Sequence, residues 1–318
     1  MTSVSPRTSL WSRLSRGQRE NLNGYLLSGP SLLVVMLVVI VPFLAVIVFA
    51  FADIRLIDIP TLSLWDIEWT LDNFTAAMSS GAFWGALWTT IVYATFTTLG
   101  AIVVGLSVAL AMRRPFRGRG LVRALLLVPY VLPVIAAATI WRTMLNPQYG
   151  VVNAFGMEFL GWERPISFLS TTTGEIAGIP VPVALTTVIV FEIWKTAPLA
   201  FLFITARLQS IPSDIEEAAA LDGANSRQIL TKMIMPQLRN VILLLLLLRF
   251  IWSFQSFNDI YLLTGGAGGT QVMAVKVYTE LITRANIGSA AAYGLLMSVI
   301  LAALLVVYVL VSRRKERM

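Results

Sequence analysis

Six long apolar stretches constrain what this 318-residue chain can fold into. A helix needs about 20 mostly apolar residues to cross roughly 30 Å of hydrocarbon. The stretches are apolar on all sides, as lipid-facing helices are, and are not striped like the surface helices of soluble proteins. The sequence therefore predicts an all-α integral membrane domain over residues 26–311. Its six transmembrane helices are expected at Leu26–Phe51, Trp84–Met112, Ala124–Met144, Val181–Ala206, Val241–Leu263 and Gly288–Val311.

The composition excludes several kinds of protein. Only 13% of the residues are charged, about half the roughly 25% that is usual in soluble domains. The chain contains no histidine and no cysteine, which excludes thiolate and imidazole metal sites, disulfides and the Ser-His-Asp and Cys-His nucleophiles. We therefore expect no metal on this chain. The first stretch is much longer than the roughly 7–15 apolar residues of a signal peptide, so we interpret it as a retained span.

The placement of positive charge predicts the orientation. The net charge of +7 would suggest nucleic acid in a soluble protein, but in so apolar a chain it indicates membrane orientation. The positive-inside rule places four basic segments in the cytoplasm: tail 1–25, the links after spans two and four, and tail 312–318. Acidic residues predominate in the other segments, where Asp259 and Tyr261 are expected near the outer mouth, facing water or a binding protein. The basic residues are Arg7, Arg13, Arg16 and Arg19; Arg113, Arg114, Arg117, Arg119 and Arg123; Arg207, Arg227, Lys232 and Arg239; and Arg313, Arg314, Lys315 and Arg317.

The link after span four, residues 207–240, has the most specific local signals. Ser213 followed by Glu216 fits a capping box and predicts a helix start. Asp222-Gly223 then offers a left-handed stop, because glycine has no Cβ to clash there. Asn225 or Ser226 can cap a second helix, which Pro236 is expected to break or kink at the entry to span five. On shape alone, this surface hairpin could simply join two spans.

The residues of the hairpin favour a further role. Glu217-Ala218-Ala219 is followed after three residues by Gly223, and after nine more by Met233-Ile234-Met235-Pro236. This pattern closely resembles the EAA motif of ABC importer permeases. The segments NPQYGVVN, EIWKTAPL and FNDIYLLTGG extend the resemblance to sugar permeases of the maltose-transporter type, and to the first of their two permease subunits. The resemblance implies a type I ABC importer permease fold, with both termini cytoplasmic, in the bacterial plasma (inner) membrane.

The resemblance also implies a set of partners. In this family the hairpin docks on a cytoplasmic ATPase subunit, and the chain itself contains no Gly-x-x-x-x-Gly-Lys-Ser/Thr phosphate loop. ATP and Mg²⁺ would therefore be bound by the partner, and this chain would be a non-catalytic subunit without a cofactor. A second homologous permease, two ATPase subunits and an extracytoplasmic solute-binding protein would complete the importer. The implied ATPase-coupling residues are Glu216, Glu217, Ala218, Ala219, Asp222, Gly223, Ala224 and Pro236.

Polar groups inside the predicted spans nominate a transport site. Each charge at a helix centre costs about 2.5–3.5 kcal/mol on insertion scales, so such residues need a reason. Two interpretations remain open: ion pairs and packing that hold the bundle together, or a sugar site combining hydrogen-bonding groups with aromatic faces. Glu192 and Lys195, three residues apart, can pair. The resemblance places sugar-lining positions on Tyr130, Glu192, Lys195, Thr196, Arg249, Trp252 and Ser253, and helical spacing from Arg249 adds Ser256.

These signals predict the permease subunit of an ATP-driven importer for a disaccharide or oligosaccharide, such as trehalose or maltose. A glycerol phosphodiester or a polyol is also compatible with the sequence. Two other functions use the same features differently. An ion-coupled secondary transporter would bind its solute through the intramembrane charges without an ATPase, and a structural membrane scaffold would use the hairpin only for docking.

Overall fold

A computed structural model describes residues 16–61, 67–176, 179–212 and 214–316 of the chain. For residues 16, 18–23, 176, 179 and 311–316 only the backbone is described. The orientation signals assigned to Arg7, Arg13 and Arg317, and the helix cap assigned to Ser213, lie outside the described residues.

The described chain is built almost entirely of helices. Segments of π-helix at Met36–Ile40 and Ile229–Ile234 join consecutive α-helices, and a third at Thr279–Thr283 follows α13. The regular elements are α1 (Arg16–Val35), α2 (Val41–Ala50), α3 (Asp72–Ser79), α4 (Gly81–Ala111), α5 (Arg119–Val131), α6 (Val134–Met144), α7 (Val151–Phe159), β1 (Gly174–Ile176), β2 (Ile179–Val181), α8 (Val183–Gln209), α9 (Asp214–Leu221), α10 (Ser226–Gln228), α11 (Met235–Phe254), α12 (Asn258–Thr264), α13 (Met273–Tyr278) and α14 (Ile287–Glu316). The antiparallel pair β1–β2 is a small addition to the predicted all-α architecture.

Five helical stretches in the described chain are long and apolar enough to cross a membrane, and a bent helix pair supplies the sixth span. The five are Gly24–Ala50, Gly81–Ala111, Val183–Gln209, Ser226–Phe254 and Ile287–Leu310. Four of them match predicted spans to within a few residues. The exception is Ser226–Phe254, which begins and ends earlier than predicted. The six-span fold class is confirmed.

The third span is not the continuous helix predicted for Ala124–Met144. It consists of α5 and α6, which meet at an angle of 97°. Leu132 between them is extended, with φ −62° and ψ 136°. Proline accounts for the break, because Pro133 has no backbone N–H to donate and its ring disfavours helical geometry at the residue before it.

The fifth span also differs from its prediction of Val241–Leu263. The continuous helix begins at Ser226 and ends at Phe254, and α12 is a separate short helix after residues 255–257. A break at Pro236 is not observed, because the helix Ser226–Phe254 runs through this proline. Proline has no N–H to donate to the turn before it, so that turn cannot keep the regular α-helical ladder of hydrogen bonds. The irregularity lies instead in the π-helical turn immediately before it.

The tightest helix contact joins α4 to α8. A Cβ added at Gly105 of α4 would lie 2.7 Å from the Ala200 Cβ and 2.8 Å from the Phe201 backbone nitrogen of α8. Small residues allow this close approach, which is a common way for membrane helices to associate. The hairpin packs on one end of this pair, and the polar residues Glu192 and Thr196 lie on α8.

On the side predicted to be extracytoplasmic, a buried asparagine organises the chain around α7. The Asn153 side-chain amide donates to the carbonyl oxygens of Asn146 and Ile166, at 3.3 and 3.1 Å, and its Oδ1 accepts from the Ile166 backbone amide at 2.7 Å. These bonds give the NPQYGVVN segment a local structural role.

Candidate functional site

The EAA-like segment forms a short helix with a defined turn. Gly223 adopts φ +81°, the left-handed conformation predicted for it. Its amide donates to Ala220 O at 3.1 Å, and the Ala224 amide donates to Ala219 O at 2.9 Å. These two bonds define a Schellman motif, which terminates a helix by satisfying its last carbonyls.

The second arm of the hairpin begins with a complete capping box. Asn225 Oδ1 accepts from the Gln228 backbone amide at 2.9 Å, and Gln228 Oε1 accepts from the Asn225 amide at 2.8 Å. Of the two cap residues predicted, the structure uses Asn225. The hairpin geometry is therefore fixed by bonds between residues that are close in sequence.

One face of the hairpin packs on the bundle and the other is exposed. Ala219 is buried, and Ile234 and Leu238 join the apolar cluster formed by the ends of α4 and α8. Among the predicted coupling residues, Glu217, Ala218, Asp222, Gly223 and Pro236 are exposed, whereas Glu216 and Ala224 are half-buried. At the end of α9 the apolar side chain of Leu221 is 90% exposed.

An ion pair ties the hairpin to the link after span two. The Arg113 guanidinium contacts the Glu216 carboxylate, and both side chains are half-buried. Partial burial and the neighbouring charge of Arg114 lower the pKa of Arg113. An arginine at that position keeps its charge at neutral pH, so the bridge is a permanent electrostatic contact between α9 and the end of α4.

The intramembrane polar residues converge where α8 meets α11. Arg249 Nη2 donates to Glu192 Oε1 at 3.1 Å, to Thr196 Oγ1 at 2.8 Å and to Ser253 Oγ at 3.4 Å. All four side chains are buried. A guanidinium surrounded by a carboxylate and two hydroxyls is largely compensated for its loss of water.

A second ion pair extends this group to α12. Lys195 Nζ lies 3.2 Å from Glu192 Oε2 and also contacts Asp259 Oδ1. Asp259 in turn accepts from Ser256 Oγ at 3.5 Å, and Ser256 is 3.4 Å from the hydroxyl of the fully buried Tyr93 on α4. We call the eight residues the polar network: Tyr93, Glu192, Lys195, Thr196, Arg249, Ser253, Ser256 and Asp259.

The structure corrects the predicted position of Asp259. This carboxylate was expected to face water or a binding protein at the outer mouth, but it is only 7% exposed and pairs with Lys195. Charge balance could have identified it, because Lys195 and Arg249 need two anions in a low-dielectric site and Glu192 supplies one. Tyr93 was also missed, and a tyrosine within an apolar span gives no such signal.

Three other predicted site residues differ in their surroundings. Trp252 and Tyr130 are 52% and 45% exposed, and no bond joins either of them to the polar network. Ser256 belongs to the network, but not for the reason given by its spacing. Helix α11 ends at Phe254, so Ser256 lies beyond the helical stripe that was used to nominate it.

A separate buried charge cluster lies between α13 and α14. Glu280 is 2% exposed and pairs with Lys276 Nζ at 2.8 Å and with Arg284 Nη1 at 3.1 Å. The Lys276 ammonium is also 5.5 Å from the centre of the Tyr293 ring. Both cations lie four residues from Glu280 in sequence, so these two ion pairs are local and stabilise the π-helical turn.

Comparisons with known proteins identify the family. Residues 101–317 match the family described as binding-protein-dependent transport system inner membrane component. This chain belongs to that family. The matched region contains α5 to α14, the hairpin and seven of the eight residues of the polar network, and the permease is a non-catalytic subunit in the bacterial inner membrane.

Relatives match this permease over nearly its whole length. The inner membrane ABC transporter permease protein YcjO of Escherichia coli is 31% identical over 305 residues, which cover 95% of this chain and 97% of the relative. The trehalose/maltose transport system permease protein MalF of Thermococcus litoralis is 30% identical over 298 residues, 93% of this chain and 95% of the relative.

The fold matches a solved transporter. A chain of the bacterial alginate ABC transporter, crystallised with an alginate pentasaccharide-bound periplasmic protein, superimposes with a TM-score of 0.78 at 21% identity. The match covers 95% of this permease and 98% of that chain. At this identity the likeness establishes the fold, and with it the ABC importer permease architecture predicted from the hairpin.

Proposed function

We propose that this permease forms, with a second homologous permease, the path by which an ATP-driven importer moves a carbohydrate across the membrane. The substrate class is supported by relatives named for trehalose/maltose and, in Agrobacterium fabrum, sulfoquinovosyl glycerol transport. No comparison supports the ion-coupled secondary transporter. Both termini and the hairpin face the cytoplasm, and a solute-binding protein delivers the sugar from the opposite side.

The hairpin couples the path to one of the two ATPase subunits. The observation that supports this role is the exposed Leu221, which the rigid turn at Gly223 holds at the free end of α9. An apolar side chain left in water beside exposed carboxylates is typical of a contact that a partner buries. The opposite face of α9 packs on the helix bundle through Ala219 and the Arg113–Glu216 bridge, and this packing holds Leu221 in position.

Co-purification tests the coupling role. Leu221→Asp should release the ATPase subunits and abolish ATP-driven uptake, because it places a charge in the buried contact while leaving the packed face intact. Ile57→Asp is the matched control, since Ile57 is 80% exposed and lies on the opposite side of the membrane. Retention of the ATPase by Leu221→Asp would overturn the coupling role, and uptake driven by an ion gradient without ATP would overturn the importer itself.

The substrate site is proposed around the polar network. Glu192, Thr196, Arg249, Ser253 and Ser256 form its hydrogen-bonding floor, and Lys195 is its least buried charge, with 17% of its side chain exposed. Trp252 neighbours Ser253 on α11 and presents an exposed aromatic surface, and Tyr130 presents a second one on α5. An aromatic face beside polar groups is the combination that sugar recognition requires.

Uptake kinetics test this site. With labelled trehalose and maltose as probes, Trp252→Ala should raise the apparent KM by about tenfold, equivalent to about 1.4 kcal/mol of lost stacking. Trp88→Ala is the control, because Trp88 is 68% exposed on α4 and lies outside the proposed site. If alanine at Trp252 and Ser253 left both the rate and the apparent KM unchanged, the proposed site would be wrong.

A further inference from the structure

The link after α4 and the first turns of α5 together contain five arginines, of which one has a carboxylate partner. Arg113 pairs with Glu216. Within the described part of the chain, no ion pair involves the others: Arg114, Arg117, Arg119 and Arg123. The positive-inside rule accounts for arginines that face water, and Arg114 and Arg117 are exposed. It does not account for guanidinium nitrogen atoms that are buried without a partner.

Arg119 and Arg123 are half-buried and have such atoms. The Nε atom of Arg119 and the Nε and Nη2 atoms of Arg123 are buried and lack a hydrogen-bond acceptor among the described residues. A buried charged donor without a partner is costly, and nearly all such donors in native proteins are satisfied. The two residues are four apart on α5, so their side chains lie on one face of the helix. Together they form a pair of cationic donors that the chain itself does not satisfy.

An apolar groove adjoins these donors on the membrane side. It lies between α4, α5 and α8, has a volume of about 230 Å³, and is lined by residues that include Val104, Val108, Leu125, Leu126 and Pro129. Leu126 follows Arg123 by three residues, a rise of about 4.5 Å along the helix axis. The first turns of α5 therefore hold the cations, and its next turns form the wall of a hydrocarbon-lined groove.

We propose that this part of α5 binds an anionic phospholipid. The phosphodiester headgroup accepts hydrogen bonds from Arg119 and Arg123, and an acyl chain lies in the groove between α4, α5 and α8. Guanidinium groups match phosphate geometry through paired donors. Basic pockets between helices on the cytoplasmic side are where anionic headgroups bind, and this link lies on the side that the positive-inside rule assigns to the cytoplasm.

Native mass spectrometry of the assembled transporter tests the proposal. The complex is titrated with phosphatidylglycerol, with phosphatidylcholine as the neutral lipid, and the bound lipids are counted. The wild type should prefer phosphatidylglycerol, and Arg119→Gln combined with Arg123→Gln should weaken its binding at least roughly tenfold. The matched control, Arg114→Gln combined with Arg117→Gln, removes the same charge from the link just before α5 and should change binding by less than about twofold.

Three outcomes would overturn the lipid site. An equal loss of phosphatidylglycerol binding in the two double variants would show that only the overall positive charge of this surface matters. Binding of soluble glycerol phosphate as tight as that of phosphatidylglycerol would indicate a free-anion site that does not use the groove. Absence of a lipid preference, with release of the ATPase subunits by the Arg119/Arg123 variant, would assign the two arginines to a protein partner. The thermal unfolding midpoints of both double variants should equal that of the wild type, which excludes misfolding as the cause of weaker lipid binding.

Discussion

The hairpin and the polar network are held together in opposite ways. The bonds that shape the turn of the hairpin join residues at most five positions apart, as in the Ala224–Ala219 turn and the Asn225–Gln228 cap. In the network, the bonds from Glu192, Lys195 and Thr196 on α8 to Arg249 and Asp259 join residues 53 to 64 positions apart. The hairpin forms an exposed surface whose shape depends little on the rest of the fold, whereas the network exists only when the bundle has assembled.

This difference separates an exposed contact surface from a site assembled inside the bundle. The end of the hairpin has an exposed apolar side chain, Leu221, beside the exposed carboxylates of Glu217 and Asp222. In the network, two cations face two anions, so the buried charges balance one another. Removing one charge should therefore be severe in the network, whereas a change in the hairpin should remain local.

The largest effect is expected from Arg249→Gln. It leaves Glu192 and Asp259 facing a single cation in a buried site, and breaking a buried pair in this way costs about 3–5 kcal/mol. The free energy of unfolding of the purified permease, measured by denaturant titration in detergent, should fall by that amount.

The double variant Glu192→Gln and Arg249→Gln provides the internal control. It restores charge balance, because Lys195 and Asp259 remain paired, so it should recover much of the lost stability. A double variant as unstable as Arg249→Gln would show that packing, rather than charge balance, accounts for the loss. A single variant as stable as the wild type would show that the network does not hold the bundle together.

A smaller effect is expected at Gly223. Valine should strain the turn by about 1–3 kcal/mol, because a β-branched residue at φ +81° is a genuine outlier. Asparagine is the matched control, since it tolerates the left-handed region and no atom lies within 4 Å of an added Cβ. Hydrogen exchange of the amides of residues 218–224 should accelerate for valine alone, with a matching loss of ATPase binding. A lowered global unfolding midpoint would contradict the local character of the hairpin.

The same contrast explains what the sequence could predict. Gly223 and Asn225 were predicted correctly because a left-handed stop and a helix cap depend on neighbouring residues. The EAA-like spacing likewise lies within one short segment, so it led to the correct family. In the polar network, Glu192, Lys195 and Arg249 were identified because a charge within an apolar span is conspicuous against its surroundings; their role in substrate binding stays a prediction.

The wrong predictions concern two features that a hydropathy pattern does not show: breaks within apolar stretches, and contacts between residues distant in sequence. The third span was predicted as one helix because the residues around Pro133 are apolar, although the proline turns the chain by 97°. The fifth span was extended past Phe254 because Ile260, Leu262 and Leu263 of α12 are apolar, although α12 also contains Asn258 and Asp259. Asp259 was placed in water because nothing close to it in sequence indicates that Lys195, 64 positions earlier, folds against it.

The smallest effect is expected at the Arg113–Glu216 bridge, the one ion pair that joins the hairpin to the basic link among the described residues. A double-mutant cycle of Arg113→Gln and Glu216→Gln, measured as free energies of unfolding, should give a coupling of about 0.2–1 kcal/mol, because both side chains are partly in contact with solvent. The coupling should weaken further in high salt. A coupling of about 3 kcal/mol or more, comparable to a buried pair, would mean that the bridge rather than the packing of Ala219 and Ile234 fixes the hairpin on the bundle. The contrast between a locally built hairpin and a globally built network would then fail.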